Sequence, residues 1–358
     1  MAHSLSRADF CRASVLGLLG AACEGAKAGP KASAEPKVKP PGPAASLAAT
    51  SQTATVPKRK LGATGELVSM IGLGGAHIGK DKLTDDQAIR LMREAIDGGI
   101  TFFDNCWDYN EGRSEVRMGK ALRDGYRQKV FLMTKLDGRT AKAAEAQLEQ
   151  SLERLQTDRI DLVQVHEVIR ASDPKRCFAK DGIMAALMRA KQAGKLRYVG
   201  FTGHKDPALH LAMLEAAKKA GFGFDAVQMP LNVMDAHFKS FEKSVLPVLE
   251  REGVGVLGMK SMGSGDILAS GVVSAEECLR YALSLPTSVV ITGIDSPEVL
   301  AQALRVARGF VPLSAPERER LLARSANAAA SGKHELFKTA DKYDGTAKNP
   351  HWLERAEL

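Results

Sequence analysis

Four polar residues that together could perform acid–base chemistry stand at the ends of three apolar segments. Asp104 and Tyr109 lie in T-F-F-D-N-C-W-D-Y, Lys135 ends V-F-L-M-T-K, and His166 ends I-D-L-V-Q-V-H. Reduction of a carbonyl needs a proton at oxygen, and a phenol with a pKa of about 10 is a poor donor near neutrality. An adjacent ammonium lowers the pKa of a phenol. The set predicts Tyr109 as general acid, Lys135 as the cation that tunes it, Asp104 as the partner of that cation, and His166 as the residue that orients the carbonyl.

Each of these residues alone has a simpler explanation. Asp104 is also a suitable turn or helix-capping residue, and Tyr109 is also a suitable rim aromatic. Lys135 alone is typical of a solvated loop, and His166 alone is typical of a hydrogen-bonded core histidine. The chemical interpretation therefore requires a fold that brings the three segment ends to one place.

Alternating strand and helix patterns begin at Lys58 and predict eight βα units in an α/β fold. Eight units in about 250 residues favour a closed (β/α)₈ TIM barrel over a doubly wound open sheet, which the alternation alone also permits. In a barrel, the carboxyl ends of the strands surround one mouth, where catalytic residues lie. The predicted strands are Val68–Leu73, Thr101–Asp104, Val130–Lys135, Ile160–His166, Leu196–Gly200, Ala226–Pro230, Val254–Met259 and Val289–Gly293. The predicted helices are Asp85–Asp97, Ser114–Arg123, Ala141–Leu155, Gly182–Ala193, Pro207–Ala220, Phe238–Arg251, Ala275–Leu285 and Pro297–Ala307.

Segments of different composition flank the barrel. Residues 1–23 resemble a secretory signal with a twin-arginine-like start, although Ala8 stands where the second arginine would be. A working signal implies an exported or periplasmic protein, whereas a simple N-terminal extension implies a cytoplasmic one. Residues 24–57 form a Pro/Ala-rich linker, and K-R-K-L-G-A-T-G-E-L-V-S predicts an N-terminal hairpin that turns at Gly65. The barrel is expected to occupy residues 58–330.

Residues 331–358 form a C-terminal tail beyond a helix predicted over Ala315–Ala329. The aromatic residues Phe337, Tyr343 and Trp352 are candidates to cover the barrel mouth. Packing of the tail on the flank of the barrel is an equally good interpretation of the same residues.

Charge and cysteine content argue against several other classes of protein. The net charge is +8, but nine Lys or Arg and three acidic residues lie in the first 60 residues, which leaves the barrel nearly neutral. Nucleic-acid binding needs a basic surface, so it is not expected. The five cysteines form no C-x-x-C pair, so we expect neither a metal site nor a disulfide framework. We interpret Cys106 as a small packing residue.

The chain resembles the aldo-keto reductase family from about Lys58 to Gly309. The resemblance rests on G-I-T-F-F-D-N-C-W-D-Y, S-E-V-R-M-G-K-A-L, Lys135 and D-L-V-Q-V-H. It implies a barrel that binds NADP(H) without a Rossmann fingerprint and acts on a small carbonyl or alcohol substrate. His166, rather than the residue found in family members that reduce carbon–carbon double bonds, favours carbonyl reduction or alcohol oxidation.

The resemblance also implies a set of cofactor contacts. Gly203 stands where the family often has asparagine, and His204 is a candidate to compensate. Asp295 adds a negative charge near the expected 2′-phosphate position, so NAD(H) is not excluded beside NADP(H). The implied cofactor contacts are Gly74, Gly75, Thr202, Gly203, His204, Gln228, Met259, Gly293, Asp295 and Gln302.

Two further functions fit the same barrel. A regulatory or sensor protein would bind the cofactor without significant turnover. A Schiff-base aldolase would use Lys135 as its nucleophile, but this function leaves Asp104 and Tyr109 without a role.

Overall fold

A closed barrel of eight parallel strands dominates the computed structural model, which describes residues 55–358. The predicted leader, and the linker up to residue 54, lie outside the described residues. The hairpin strands are β1 (Lys58–Lys60) and β2 (Leu67–Ser69), which pair antiparallel. The barrel strands are β3 (Ile71–Gly74), β4 (Phe102–Asp104), β5 (Phe131–Leu136), β6 (Ile160–Val165), β7 (Leu196–Thr202), β8 (Ala226–Pro230), β9 (Gly255–Met259) and β10 (Val289–Gly293).

The barrel closes because β10 pairs with both β9 and β3, while all other neighbours follow chain order. This topology confirms the (β/α)₈ prediction and rules out the open doubly wound sheet. Within residues 55–358, no helix has the length and apolar content needed to cross a bilayer.

Helices follow the barrel strands and cover the outside of the barrel. Two of them begin with a full capping box, in which Thr84 pairs with Gln87 and Ser274 pairs with Glu277. The α-helices are α1 (Gly75–Ile78), α2 (Asp85–Asp97), α3 (Arg113–Ala121), α4 (Ala141–Leu155), α5 (Asp173–Cys177), α6 (Ile183–Gln192), α7 (Pro207–Lys219), α8 (Phe241–Ser244), α9 (Leu246–Glu252), α10 (Ala275–Ser284), α11 (Pro297–Arg308), α12 (Ala315–Ala329), α13 (Leu336–Thr339) and α14 (Gly345–Lys348). Short 3₁₀ turns span Arg127–Lys129, Gly263–Gly265, Leu268–Ser270 and Pro350–Leu353.

Two predicted elements are each divided in the structure. The first predicted strand, Val68–Leu73, is wrong as one unit because β2 ends at Ser69 and β3 begins at Ile71. Between them the Ser69 hydroxyl donates to the carbonyl of Ile71 at 2.7 Å and accepts from the Thr101 amide at 2.8 Å. The predicted helix Phe238–Arg251 is likewise divided into α8 and α9, because a proline in the first turn of α9 has no amide hydrogen to continue the helix.

The amino ends of the barrel strands are closed by the hairpin. Arg59 donates to the carbonyl oxygens of Thr287 at 2.8 Å and Leu283 at 2.7 Å, and Leu61 is fully buried. Leu61 belongs to an apolar cluster with barrel side chains, in which the rings of Phe102 and Phe131 stack 5.3 Å apart. The lower barrel is therefore filled with apolar side chains, and polar chemistry is left to the carboxyl ends of the strands.

Residues 331–358, here called the strap, lie against the loops at the carboxyl ends of the strands. The Glu167 carboxylate accepts hydrogen bonds from the backbone amides of Gly345 at 2.9 Å and Thr346 at 2.8 Å. Lys338 forms a buried ion pair with Asp235 at 2.6 Å. These contacts place the strap over the barrel mouth, which was one of the two interpretations of the tail.

Candidate functional site

Lys135 connects three members of the predicted tetrad of Asp104, Tyr109, Lys135 and His166. Its Nζ donates to the carboxylate of Asp104, to the backbone oxygen of Asn105 at 2.7 Å, and to the hydroxyl of Tyr109 at 3.2 Å. Asp104 ends β4 and Lys135 lies on the neighbouring strand β5, so the barrel register brings their side chains together. Lys135 is only 1% exposed. All three donors of the ammonium are thus used, as a buried lysine requires.

The Tyr109 phenol keeps its proton in these surroundings. Burial raises its pKa well above the usual value, and the charge of Asp104 acts in the same direction. This direction is opposite to the expected lowering by Lys135. A raised pKa is still compatible with proton donation, because an alkoxide formed beside Tyr109 would be a stronger base than the phenolate.

His166 presents one ring nitrogen to a cluster of polar side chains. Its Nδ1 lies 2.8 Å from Oδ1 of Asp137, 3.2 Å from Sγ of Cys106 and 3.7 Å from Oδ1 of Asp108. Burial lowers the pKa of His166, which favours a neutral imidazole. The rings of His166 and Tyr109 meet edge to face with centroids 5.9 Å apart. The second ring nitrogen of His166 is therefore the one left for a substrate beside Tyr109.

A buried arginine fixes the backbone around His166, and the sequence interpretation missed it. The guanidinium of Arg139 donates to the carbonyl oxygens of Asp137 at 2.7 Å, His166 at 2.7 Å and Glu167 at 2.9 Å. It also pairs with the fully buried carboxylate of Asp173 at 3.0 Å. Arg139 thus holds the loops after β5 and β6 in one arrangement. In the sequence, the only indication of a role for Arg139 was its place in D-G-R, directly after a strand end.

Three of the implied cofactor contacts, Gln228, Thr202 and Met259, lie on the strands β8, β7 and β9, and Gln228 contacts the tetrad directly. Gln228 on β8 donates from Nε2 to Oδ2 of Asp104 at 2.9 Å. Its Oε1 is buried and has no hydrogen-bond partner in the described chain. Thr202, at the end of β7, faces Met259, with Oγ1 and Sδ 4.0 Å apart. The unpartnered oxygen of Gln228 fits the amide donors of a nicotinamide carboxamide.

Gly203 and His204 follow β7 but face different surroundings. A Cβ on Gly203 would lie 2.4 Å from the carbonyl oxygen of Val168, so the loop leaves no room for a side chain there. His204 is 4% exposed and its Nε2 lies 2.9 Å from Oδ1 of Asp344 in the strap. This ring nitrogen of His204 is thus committed to the strap.

Gly74 and Gly75 allow the ends of neighbouring strands to approach closely. A Cβ on Gly74 would lie 3.1 Å from the carbonyl oxygen of Thr292, and one on Gly75 would lie 2.6 Å from that of Asp104. The close approach explains why this turn carries no side chains. It also keeps the backbone after β3 next to the Asp104 end of β4.

The remaining implied contacts lie at the turn between β10 and α11. A Cβ on Gly293 would overlap the ring of His77, whose nearest atom is 2.4 Å away. Asp295 forms an ion pair with Lys82 at 2.6 Å, and Gln302 is half-buried on α11. The charge of Asp295, expected to repel a 2′-phosphate, is therefore opposed by that of Lys82.

A further cation, Lys260, follows β9 and lies against the strap. The Nζ of Lys260 lies 4.6 Å from the ring centroid of Tyr343 and 5.3 Å from that of Phe337. Burial lowers the pKa of Lys260 to about 8. Trp352, the third aromatic residue of the strap, meets Trp107 edge to face at 5.8 Å. The aromatic residues of the strap thus contact loops on several sides of the mouth.

Comparisons with known proteins agree with this arrangement. A family model described as the Aldo/keto reductase family matches residues 70–270. The oxidoreductase YrpG of Bacillus subtilis is 32% identical over 226 residues, which are 57% of this chain and 66% of that relative, just under two thirds of its length. L-galactose dehydrogenase of Arabidopsis thaliana is 29% identical over 232 residues, which are 60% of this chain and 67% of the relative. The solved aldo-keto reductase AKR11C1 from Bacillus halodurans, in its holo form, is 25% identical with a TM-score of 0.63, covering 78% of this chain and 99% of the other.

Proposed function

Since the chain belongs to the aldo/keto reductase family, we propose that it interconverts small aldehydes or ketones and their alcohols, with Tyr109 as the proton donor. The observation that carries the proposal is the position of the Lys135 ammonium, which contacts both the Asp104 carboxylate and the Tyr109 hydroxyl. Both contacts satisfy the buried ammonium. Both are needed to hold a proton donor beside a buried cation.

The four side chains divide the work of proton transfer. When bound, a reduced nicotinamide cofactor supplies the hydride that adds to the carbonyl carbon. The Tyr109 hydroxyl gives its proton to the carbonyl oxygen and becomes a phenolate. Lys135, 3.2 Å away, stabilises that phenolate, and Asp104 keeps the ammonium in place. His166 orients the carbonyl through the ring nitrogen that does not face Asp137.

Residues beside the tetrad are suited to hold the cofactor. Gln228 would accept from the carboxamide through its unpartnered Oε1, and Thr202 and Met259 would contact the nicotinamide ring. We favour NADP(H), because the Lys82 ammonium opposes the charge of Asp295. NAD(H) would bind the same nicotinamide contacts and lacks only the 2′-phosphate.

Cofactor binding and turnover by the full chain test the proposal. NADPH and NADH would each be titrated by fluorescence and then assayed with a panel of aldehydes and ketones. Tyr109→Phe should retain binding and lose turnover by about 10²–10⁴-fold, the usual contribution of a general acid. Tyr198→Phe, which alters a tyrosine paired with Glu66 near the hairpin, is the matched control and should leave turnover unchanged.

The other outcomes are equally informative. Stoichiometric binding without turnover of any carbonyl would replace the proposal by the sensor function. Turnover that survives in Tyr109→Phe would contradict the assigned proton donor, and absence of cofactor binding would contradict the proposal as a whole.

A further inference from the structure

Four potential metal ligands of mixed chemistry converge beside the tetrad. Cys106 and Asp108 lie in the loop after β4, Asp137 follows β5, and His166 follows β6. These strands are consecutive neighbours in the barrel. One donor atom from each residue lies within 4.8 Å of all the others. We call this group the Cys–His–Asp cluster.

The cluster contains carboxylate oxygens that the protein itself does not satisfy. Asp137 is fully buried, and its Oδ2 has no hydrogen-bond partner in the described chain. Oδ1 of Asp108 is also buried, and residues 55–358 offer it no hydrogen-bond partner. Unsatisfied buried carboxylate oxygens are costly and rare, and they point to a cation or proton that completes the cluster.

The geometry fits a small tetrahedral cation. Zinc bonds of about 2.0–2.3 Å imply that ligand atoms lie about 3.2–3.7 Å apart around the ion. From Nδ1 of His166, the measured distances are 3.2 Å to Sγ of Cys106, 2.8 Å to Asp137 and 3.7 Å to Asp108. These three distances lie at or near that range, and all four donor atoms lie within 4.8 Å of one another, so a modest contraction of the cluster would accommodate the ion.

The donor set selects the metal by its chemistry. A thiolate, an imidazole and two carboxylates suit Zn²⁺, whereas Mg²⁺ and Ca²⁺ prefer oxygen ligands alone. The three negative charges of the thiolate and the two carboxylates would exceed the two positive charges of the ion by one. The buried cations Lys135 and Arg139, which bond to the backbone of the same loops, lie next to that excess charge.

We propose that Cys106, Asp108, Asp137 and Nδ1 of His166 form a buried tetrahedral site for Zn²⁺. Metal on Nδ1 fixes the imidazole proton on Nε2, so His166 donates a hydrogen bond instead of accepting one. The ion then acts on a substrate only through the orientation of His166. Metal binding is measured without turnover, so this site is tested separately from the proposed oxidoreductase function.

Cobalt substitution gives the most direct test. The full chain with Cys11→Ser and Cys23→Ser, which removes the two N-terminal thiols, would be stripped with a chelator and titrated with CoCl₂. We expect one equivalent of Co²⁺, the visible bands of tetrahedral cobalt and a near-ultraviolet thiolate-to-cobalt band. Cys106→Ser should abolish the near-ultraviolet band, whereas Cys278→Ser, which alters another buried free cysteine, should retain it.

Two further measurements keep the test decisive if a variant folds poorly. Asp137→Asn should weaken Co²⁺ binding at least about tenfold in a competition titration with a chelator. Zinc X-ray absorption on the parent protein should show one sulfur at about 2.3 Å and nitrogen or oxygen ligands at about 2.0 Å. Absence of stoichiometric binding, a thiolate band that persists in Cys106→Ser, or a shell without sulfur would each overturn the site.

Discussion

Nε2 of His204 and Oδ1 of Asp344 lie 2.9 Å apart although 140 residues separate them in the chain. The second carboxylate oxygen of Asp344 pairs with Lys205 at 2.7 Å. One strap carboxylate thus binds two consecutive residues of the loop after β7. Because Thr202 ends β7 and Gly203 begins the same loop, the position of the strap and the shape of the candidate cofactor site are linked.

Asp344→Asn should loosen the strap while leaving the barrel folded. The change removes the negative charge that faces the partly exposed Lys205 and alters the hydrogen bond with His204, a disruption of about 1–2 kcal/mol. Hydrogen exchange at the amides of Gly345 and Thr346 should accelerate about tenfold. Asp341→Asn, at an exposed strap position, is the control, and equal exchange in both variants would contradict the role of Asp344.

Gln228→Leu should have a larger effect on cofactor affinity than on the free energy of unfolding. The substitution removes the donor to Asp104 and the unpartnered Oε1 assigned to the carboxamide. Loss of one such hydrogen bond corresponds to about a tenfold higher Kd. Fluorescence titration with NADPH measures the change, and the exposed Gln128→Leu should bind normally. An unchanged Kd would remove Gln228 from the cofactor site.

Asp295→Asn should increase the preference for NADPH over NADH. The pair of Asp295 with Lys82 is partly exposed, so its charge effect is screened, and we expect a change of about two- to fivefold. The Kd of NADPH should fall while that of NADH stays constant. Asp86→Asn, on an exposed face of α2, is the control. Equal effects on both cofactors would show that the 2′-phosphate is not bound near Asp295.

Glu335→Gln should change how stability depends on pH. Burial raises the pKa of Glu335 to about 7, although Lys338 lies 2.9 Å away. The folded protein therefore holds a proton on Glu335 that the unfolded chain releases near pH 4.5. The stabilisation that comes from keeping Glu335 protonated is lost as pH rises from about 4.5 to 7.

Denaturant unfolding at several pH values measures the effect. Relative to Glu335→Gln, the parent protein should lose on the order of 3 kcal/mol of unfolding free energy between pH 4 and pH 8. Glu319→Gln, at an exposed position of α12, should leave the profile unchanged. A parent protein that gains stability over this range relative to Glu335→Gln would contradict the prediction.

The barrel and the grouping of Asp104 with Lys135 could be predicted from the sequence because both depend on local patterns. Strand and helix periodicity gives the order of elements, and the barrel then places the end of each strand at the same mouth. Three of the four tetrad residues do make direct contact there. The division of the first predicted strand could not be foreseen, because it depends on a hydrogen bond between Ser69 and Thr101, which are distant in sequence.

Features that depend on burial and on long-range contacts were not predictable. Asp137 and Arg139 had no signal beyond their place after a strand, and their importance follows from bonds to His166. The pKa of Tyr109 was predicted in the wrong direction because the sequence shows the neighbouring ammonium but not the depth of burial. Likewise, only the structure shows that Asp344 reaches His204.

The hairpin that fills the amino end of the barrel has a practical consequence for attaching this protein to a surface. Arg59 and Leu61 fasten the start of the described chain to the face opposite the mouth, whereas the strap lies on the mouth itself. An affinity tag or biosensor linkage placed ahead of Lys58 would leave the mouth facing the solution. The same linkage placed after Leu358 would pull on the strap, which Glu167 and His204 hold in place. Rates of ligand binding and release measured with that linkage would then be affected by the attachment itself.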